Sequence, residues 1–124
     1  MKVIFFIFLG GGLGSVMRYL INRWITGLVN PIFPLGTFLV NMSGCFLIGF
    51  LVFYSERFGA NSLNWRWFLV TGFCGGYTTY SSYSFENVQL MTTQHVGIML
   101  VYILGSVAIG LAATYAGIIL SRNI

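Results

Sequence analysis

Long apolar stretches separated by a few charged residues are the main pattern along this chain. The charge-free stretches cover residues 3–17, 24–55, 67–85 and 87–121. A membrane-spanning helix needs about 20 mostly apolar residues to cross roughly 30 Å of hydrocarbon. The pattern therefore predicts an all-α membrane protein with four crossings. Four helices of that length use about 80 residues, so we expect a single transmembrane domain over residues 1–124 with short connections.

Three of the predicted spans are uninterrupted helices. Span one covers residues 3–22, span two residues 35–54 and span four residues 96–120. Gly10 and Gly14 lie one helical turn apart in span one, and small residues at this spacing let another helix approach closely in a bilayer. We expect span one to pack against a neighbouring helix through these two glycines.

The third span is predicted to be a broken helix. Largely apolar residues occupy 67–74, and a run of glycine, hydroxyl and aromatic residues follows at 75–84. Adjacent glycines followed by Ser, Thr and Tyr disfavour a continuous helix. Open backbone at membrane depth needs protein or water as a hydrogen-bond partner. We expect the helix to stop within this run and to restart near Phe85.

Composition and charge support a membrane protein. Residues with an ionised side chain make up 6% of the chain, where a soluble domain has roughly 25%, so a soluble globular fold is excluded. The net charge of +4 comes from scattered residues, which predicts contact with anionic lipid headgroups and no binding of nucleic acid. With both termini and the polar connection at 55–65 on one side, the basic residues show only a weak positive-inside bias, which does not specify one orientation.

The chain lacks the residue groups that catalysis or a metal centre would need. Glu56 and Glu86 are the only acids, His95 is the only histidine, and Cys45 and Cys74 lie apart in apolar segments. No acid pair, nucleophile with a base, zinc-ligand spacing or disulfide framework follows from these residues. The sequence therefore predicts a protein that is not an enzyme.

Polar side chains inside apolar spans are costly and are candidate functional residues for that reason. Thr37 and Asn41 share one face of span two, four residues apart. Asn41 is either a donor to a permeating species or an interhelical hydrogen bond that only joins helices.

Span four carries a polar stripe every four residues, which indicates either a water or ion path or close helix packing. Its members are Tyr102, Ser106, Gly110 and Thr114.

The run at 75–84 contains the most polar chemistry. Backbone carbonyls freed by a helix break can hold a small cation, and hydroxyls and ring edges can solvate a small anion; the alternative is an ordinary interfacial loop. Tyr80 and Tyr83 are spaced to lie on one side of a helical turn. Arg18 either attracts anions or extends to the headgroups. Glu86 either pairs with an arginine or lies near the start of the restarted helix.

Three motifs resemble the bacterial CrcB/Fluc fluoride channel family. They are a glycine-rich segment ending in Arg18 (11–18), Gly-Thr-x-x-x-Asn at 36–41, and Thr-Gly-Phe-Cys-Gly-Gly-Tyr-Thr-Thr-Tyr-Ser-Ser-Tyr-Ser-Phe-Glu at 71–86. The resemblance covers essentially the whole chain, and the last motif is highly specific. It implies a multi-pass protein of the bacterial inner membrane that forms an antiparallel, dual-topology homodimer with two pores.

The resemblance also implies roles for individual residues. Arg18 would lie in a vestibule, Glu86 would end the third motif, and backbone carbonyls of Gly75 and Thr78 would hold a structural sodium ion on the dimer axis. This chain departs from the family pattern at Tyr80 and Tyr83, where Phe is usual, and at Gly110, where Ser or Thr is usual. The implied fluoride path is lined by Asn41, Tyr80, Ser81, Ser82, Tyr83, Tyr102, Ser106 and Gly110.

The resemblance predicts a passive fluoride channel that exports cytoplasmic fluoride down its electrochemical gradient. One rival is a small dual-topology multidrug transporter, which would need an acid in its first span, and residues 3–22 contain none. A second rival is a non-transporting membrane assembly protein, in which the run at 75–84 would serve packing only.

Overall fold

The computed structural model describes residues 1–29, 31–56 and 63–124, and these form an all-helical chain without strands. Arg57 and most of the predicted polar connection at 55–65 lie outside the described residues. The elements are α1 (Lys2–Leu28), α2 (Leu35–Glu56), α3 (Leu63–Arg66), a π-helical stretch (Trp67–Cys74), α4 (Gly75–Tyr77), α5 (Tyr80–Thr92) and α6 (Val96–Asn123).

Three helices in the described part of the chain are long and apolar enough to cross a membrane. They are α1, α2 and α6, with 27, 22 and 28 residues. At 1.5 Å per residue these lengths correspond to about 40, 33 and 42 Å, so each exceeds the hydrocarbon thickness. The expected spans are confirmed as helices, but α1 continues past residue 22 to Leu28 and α6 continues past residue 120 to Asn123.

The helical backbone between α3 and α5 is interrupted at Thr78 and Thr79. Both residues are extended, with φ −80° and ψ 157° at Thr78 and φ −147° and ψ 122° at Thr79. The expected restart near Phe85 is wrong, because α5 begins at Tyr80. Thr79 caps this helix: its hydroxyl oxygen accepts a hydrogen bond from the backbone N–H of Ser82 at 3.2 Å.

Glycines bring α2 and α6 together side by side. Gly49 lies against the backbone of Thr114, and Gly117 lies against the backbone of Phe46 and Phe50, so a Cβ at either glycine would clash. Gly110 lies near Met42 and Cys45, whereas Gly117 lies against Phe46 and Phe50, so residue numbers rise together and α2 and α6 run in the same direction.

The two glycines of α1 predicted to pack against a neighbouring helix face the π-helical stretch and α4. A Cβ at Gly10 would be 2.9 Å from the backbone nitrogen of Phe73, and a Cβ at Gly14 would be 2.8 Å from that of Tyr77. This confirms that Gly10 and Gly14 let a neighbouring backbone approach closely. Because the contacts advance together along both segments, α1 and the π-helical stretch also run in the same direction.

The chain reverses direction between α1 and α2, where Asn22 lies against Gly36. Helix α5 runs opposite to α2, because Thr37 contacts Glu86 while Asn41, one turn later on α2, contacts Thr79. The π-helical stretch and α5 therefore continue in one direction on either side of the interruption.

Candidate functional site

Asn41 on α2 binds the interrupted backbone through both ends of its amide. Its Nδ2 donates to the carbonyl oxygen of Thr79 at 3.1 Å, and the N–H of Thr79 donates to Oδ1 of Asn41 at 2.9 Å. The interhelical hydrogen bond considered for Asn41 is therefore present. One of the two N–H groups on Nδ2 is left for another acceptor, so the structural role and a role toward an anion are compatible.

Further contacts from α2 hold the residues just before the interruption. The hydroxyl of Ser43 lies 2.8 Å from that of Tyr77, a buried residue whose ring stacks on Phe73. Gly44 lies directly against the methyl group of Thr78, with no room for a side chain of its own. Helix α2 therefore contacts three consecutive residues, 77–79, at the interruption.

The interruption diverts the hydrogen-bond donors of two backbone carbonyls. In a continuous α-helix the carbonyl of Gly75 accepts from the N–H of Thr79, and that of Thr78 accepts from the N–H of Ser82. Here Thr79 donates to Asn41 instead, and Ser82 donates to the hydroxyl of Thr79. Gly75 is exposed, with nothing within 4 Å of the position that a Cβ would occupy.

A groove of about 410 Å³ lies beside the interruption, between α2, α5 and α6, and is called the first groove below. Four residues of the implied fluoride path line it: Asn41, Tyr80, Tyr83 and Ser106. The ring centroids of Tyr80 and Tyr83 are 5.9 Å apart, which confirms that both rings lie on one side of the turn. The structure therefore combines amide, hydroxyl and aromatic groups in one apolar groove.

Ser81 and Ser82 lie on a different surface. They line a second groove, of about 450 Å³, together with Phe85, Glu86 and Gln89. This separation follows from the early start of α5, because adjacent residues of a helix point in different directions while residues three or four apart share a face. One chain therefore divides the implied path between two grooves.

Among the described residues, Glu86 binds two hydroxyl groups. Its Oε1 accepts from Thr37 at 2.6 Å, and its Oε2 accepts from Tyr102 at 2.8 Å. Glu86 is also the seventh residue of α5, so it does not lie near the start of that helix. The expected position near the start of the restarted helix is therefore wrong, whereas pairing with an arginine stays a prediction, and in the described residues the carboxylate joins α2, α5 and α6.

Tyr102 and Gly110 of the span-four stripe are buried in the protein interior. Tyr102 is fully buried, and its ring centroid lies 5.0 Å from that of Tyr83 in an edge-to-face arrangement. Gly110 is buried, and a Cβ there would be 3.5 Å from Sγ of Cys45. Ser106 is therefore the residue of the stripe that reaches the first groove.

Arg18 is half-buried on α1 and lines neither groove. Thr79 was not singled out from the sequence, although it contacts Asn41, Ser81 and Ser82. A Ser or Thr directly before a helix is a capping signal. This signal can be recognised at Thr79 only when the start of α5 is known.

Three long apolar helices, with a groove beside them that carries a few polar groups, define a multi-pass helical membrane protein. A family model described as "CrcB-like protein, Camphor Resistance (CrcB)" matches residues 5–118. The chain belongs to this family.

Curated relatives cover nearly the whole chain. A protein of Flavobacterium psychrophilum is 48% identical over 124 residues, which are 100% of each chain. A protein of Azobacteroides pseudotrichonymphae is 43% identical over 122 residues, 98% of each chain. A protein of Agrobacterium fabrum is 46% identical over 115 residues, 93% of this chain and 92% of the relative.

All three relatives are named "Fluoride-specific ion channel FluC". The resemblance drawn from the motifs is therefore confirmed, and the chain is a multi-pass bacterial membrane protein. Because ion channels are not enzymes, these names also agree with the expectation that the chain has no catalytic activity.

Proposed function

We propose that this chain is a fluoride-selective passive channel that exports cytoplasmic fluoride down its electrochemical gradient. The observation that carries the proposal is the first groove, which combines Asn41, Tyr80, Tyr83 and Ser106 in a chain similar over its full length to named fluoride channels. Neither a multidrug transporter nor an assembly protein is favoured by these relatives.

The chemistry of the groove suits a small anion. Fluoride is small and strongly hydrated, so a narrow path must replace its water with directional donors, and the larger chloride cannot make equally short contacts. The free N–H of Asn41, the hydroxyl of Ser106 and the positive ring edges of the tyrosines are neutral donors of this kind. Neutral groups stabilise the ion without holding it as tightly as a fixed cation would, so that it can leave.

The proposed assembly is an antiparallel, dual-topology homodimer with two pores. Each chain would cross the membrane four times, with the third crossing formed by the π-helical stretch, α4 and α5 on either side of the interruption. Opposite orientations are compatible with the weak charge bias of the sequence. A second copy would also supply the surfaces that one chain, with its path divided between two grooves, does not provide alone.

A structural sodium ion is proposed on the axis of this dimer. The carbonyls of Gly75 and Thr78 suit it, because the interruption diverts their helical donors and unwound carbonyls are typical sodium ligands in membrane proteins. Replacing sodium with N-methylglucamine should lower the temperature at which purified dimers dissociate, as measured by gel filtration. A dissociation temperature that does not depend on sodium would contradict this site.

Fluoride efflux from liposomes tests the main proposal. Purified protein is reconstituted into vesicles loaded with potassium fluoride, and a fluoride electrode records release when a potassium ionophore removes the opposing voltage. We expect rapid fluoride release from these vesicles and none from protein-free vesicles. Absence of release, or chloride release at a comparable rate, would contradict a fluoride-selective channel.

Asn41→Asp tests whether an anion passes the first groove. The substitution adds a negative charge and removes the Nδ2 donor, so we expect fluoride flux to be abolished while the dimer still forms. Asn123→Asp is the matched control, because Asn123 is exposed at the end of α6 and lines neither groove. Unchanged flux in Asn41→Asp would argue against an anion path at this position.

A further inference from the structure

We propose that Thr79 is a positioning residue that links the two grooves and leaves Ser82, rather than Ser81, as the hydroxyl that donates to the permeating anion. This inference rests on the proposed fluoride channel, and it assigns different roles to two serines that the motif alone does not distinguish.

Thr79 lines the first groove and contacts two residues of the second. Thr79 is buried, with 7% of its surface exposed. Its backbone is bound at the N–H and at the carbonyl by Asn41, which lines the first groove. Its hydroxyl contacts Ser81 and Ser82, which line the second groove. A displacement of Thr79 therefore changes the position of polar groups on both surfaces.

The hydroxyl of Thr79 has its full set of hydrogen bonds. It donates its single proton to Oγ of Ser82 at 3.2 Å and accepts the backbone N–H of Ser82, also at 3.2 Å. Its third contact is with Oγ of Ser81 at 3.3 Å. Because a hydroxyl has one proton, the proton in this third bond must come from Ser81.

This proton count makes the two serines unequal. Ser81 uses its proton on Thr79, whereas Ser82 accepts a proton from Thr79 and keeps its own. A hydroxyl that accepts one hydrogen bond is a stronger donor in the next. Glu86 lines the same groove, but its two oxygens accept from Thr37 and Tyr102. Of the two serine protons, that of Ser82 is therefore the one left for an anion in the second groove, where the side-chain amide of Gln89 is a further donor.

Single alanine variants of the serines test the asymmetry in the liposome assay. We expect Ser82→Ala to lower the initial rate of fluoride efflux by about tenfold, the effect of losing one hydrogen bond to a charged group. Ser81→Ala should lower it by less than about threefold, because it removes a neutral contact only. Ser55→Ala is the control for loss of a serine hydroxyl, since Ser55 bonds within α2 at 2.7 Å and lines neither groove.

Variants of Thr79 test its positioning role. Thr79→Val keeps the branched shape and removes the hydroxyl, so we expect a loss of flux similar to that of Ser82→Ala. Thr79→Ser restores the hydroxyl and should restore most of the flux. If Thr79 acts through Ser82, adding Thr79→Val to Ser82→Ala should cause little further loss. The ratio of fluoride to chloride efflux should also fall in Thr79→Val, which a purely structural residue would not change.

The possible outcomes separate this inference from the proposed function. If the unmodified protein releases no fluoride, the proposed channel is wrong. If it conducts and Ser81→Ala is as harmful as Ser82→Ala, or if Thr79→Val conducts normally, the channel stands and the inference is overturned. If Thr79→Val does not form dimers, the comparison of Ser81→Ala with Ser82→Ala decides the question, because neither serine variant alters the backbone held by Asn41.

Discussion

Gly14→Ala is expected to destabilise the protein, because α1 lies directly against backbone atoms at this position. A Cβ on Gly14 would be 2.8 Å from the backbone nitrogen of Tyr77 and would clash with the carbonyl oxygen of Phe73. A flexible side chain could rotate away from such a contact, but these atoms belong to helical backbone. The added methyl group must therefore push α1 away from the π-helical stretch and α4.

The size of the effect follows from two opposing contributions. Overpacking in a close contact costs about 1–3 kcal/mol, and a clash with backbone belongs at the upper end of that range. Alanine is favoured over glycine in a helix by about 1 kcal/mol. We therefore expect Gly14→Ala to lower the free energy of unfolding by about 2 kcal/mol.

Gly12→Ala is the matched control on the same helix. Nothing lies within 4 Å of the position that a Cβ would occupy at Gly12, so only the helix propensity changes and stability should rise by up to about 1 kcal/mol. Both variants can be compared in detergent micelles by denaturant unfolding followed by tryptophan fluorescence. Equal stability of Gly14→Ala and Gly12→Ala would refute the packing argument.

Three further substitutions have expected outcomes. Tyr102→Phe removes the donor to Oε2 of Glu86 and should cost about 1–3 kcal/mol in the same unfolding assay. Gln94→Gly should raise the free energy of unfolding by about 0.5–1 kcal/mol, because Gln94 has a φ of 62°, which is unfavourable for a residue with a side chain. Gly110→Ser should leave the dimer yield in gel filtration unchanged, because its Cβ would lie in ordinary contact, 3.5 Å from Sγ of Cys45.

The long helices and the glycine contact of α1 could be predicted from the sequence because they depend on local properties. Apolar length determines α1, α2 and α6, and the spacing of Gly10 and Gly14 defines a face that any neighbour can approach. The start of α5 could not be predicted in this way. It depends on Thr79 being held in an extended conformation by Asn41, which is 38 residues away.

Because the helix was expected to restart near Phe85, the sequence did not show that the tyrosines and the serines of residues 80–83 lie on different faces. The family resemblance implied that Tyr80, Ser81, Ser82 and Tyr83 line one fluoride path. Once these residues are helical, the periodicity of the helix places the tyrosines and the serines on different faces. The partners of Glu86 were missed for a similar reason, since neither hydroxyl lies near it in sequence.

Two polar contacts determine where α5 lies. Asn41 binds Thr79 directly before the first turn of α5, and Glu86 binds Thr37 one turn earlier on α2 and Tyr102 on α6. A single contact would allow α5 to rotate about it, but two contacts at different heights fix both rotation and translation. A slip of α5 by one residue would break both contacts and leave polar groups unpaired in a membrane, which is costly. The acidic side chain of Glu86 therefore serves to align the neutral donors of the grooves, which explains how a carboxylate can lie beside a path proposed for an anion.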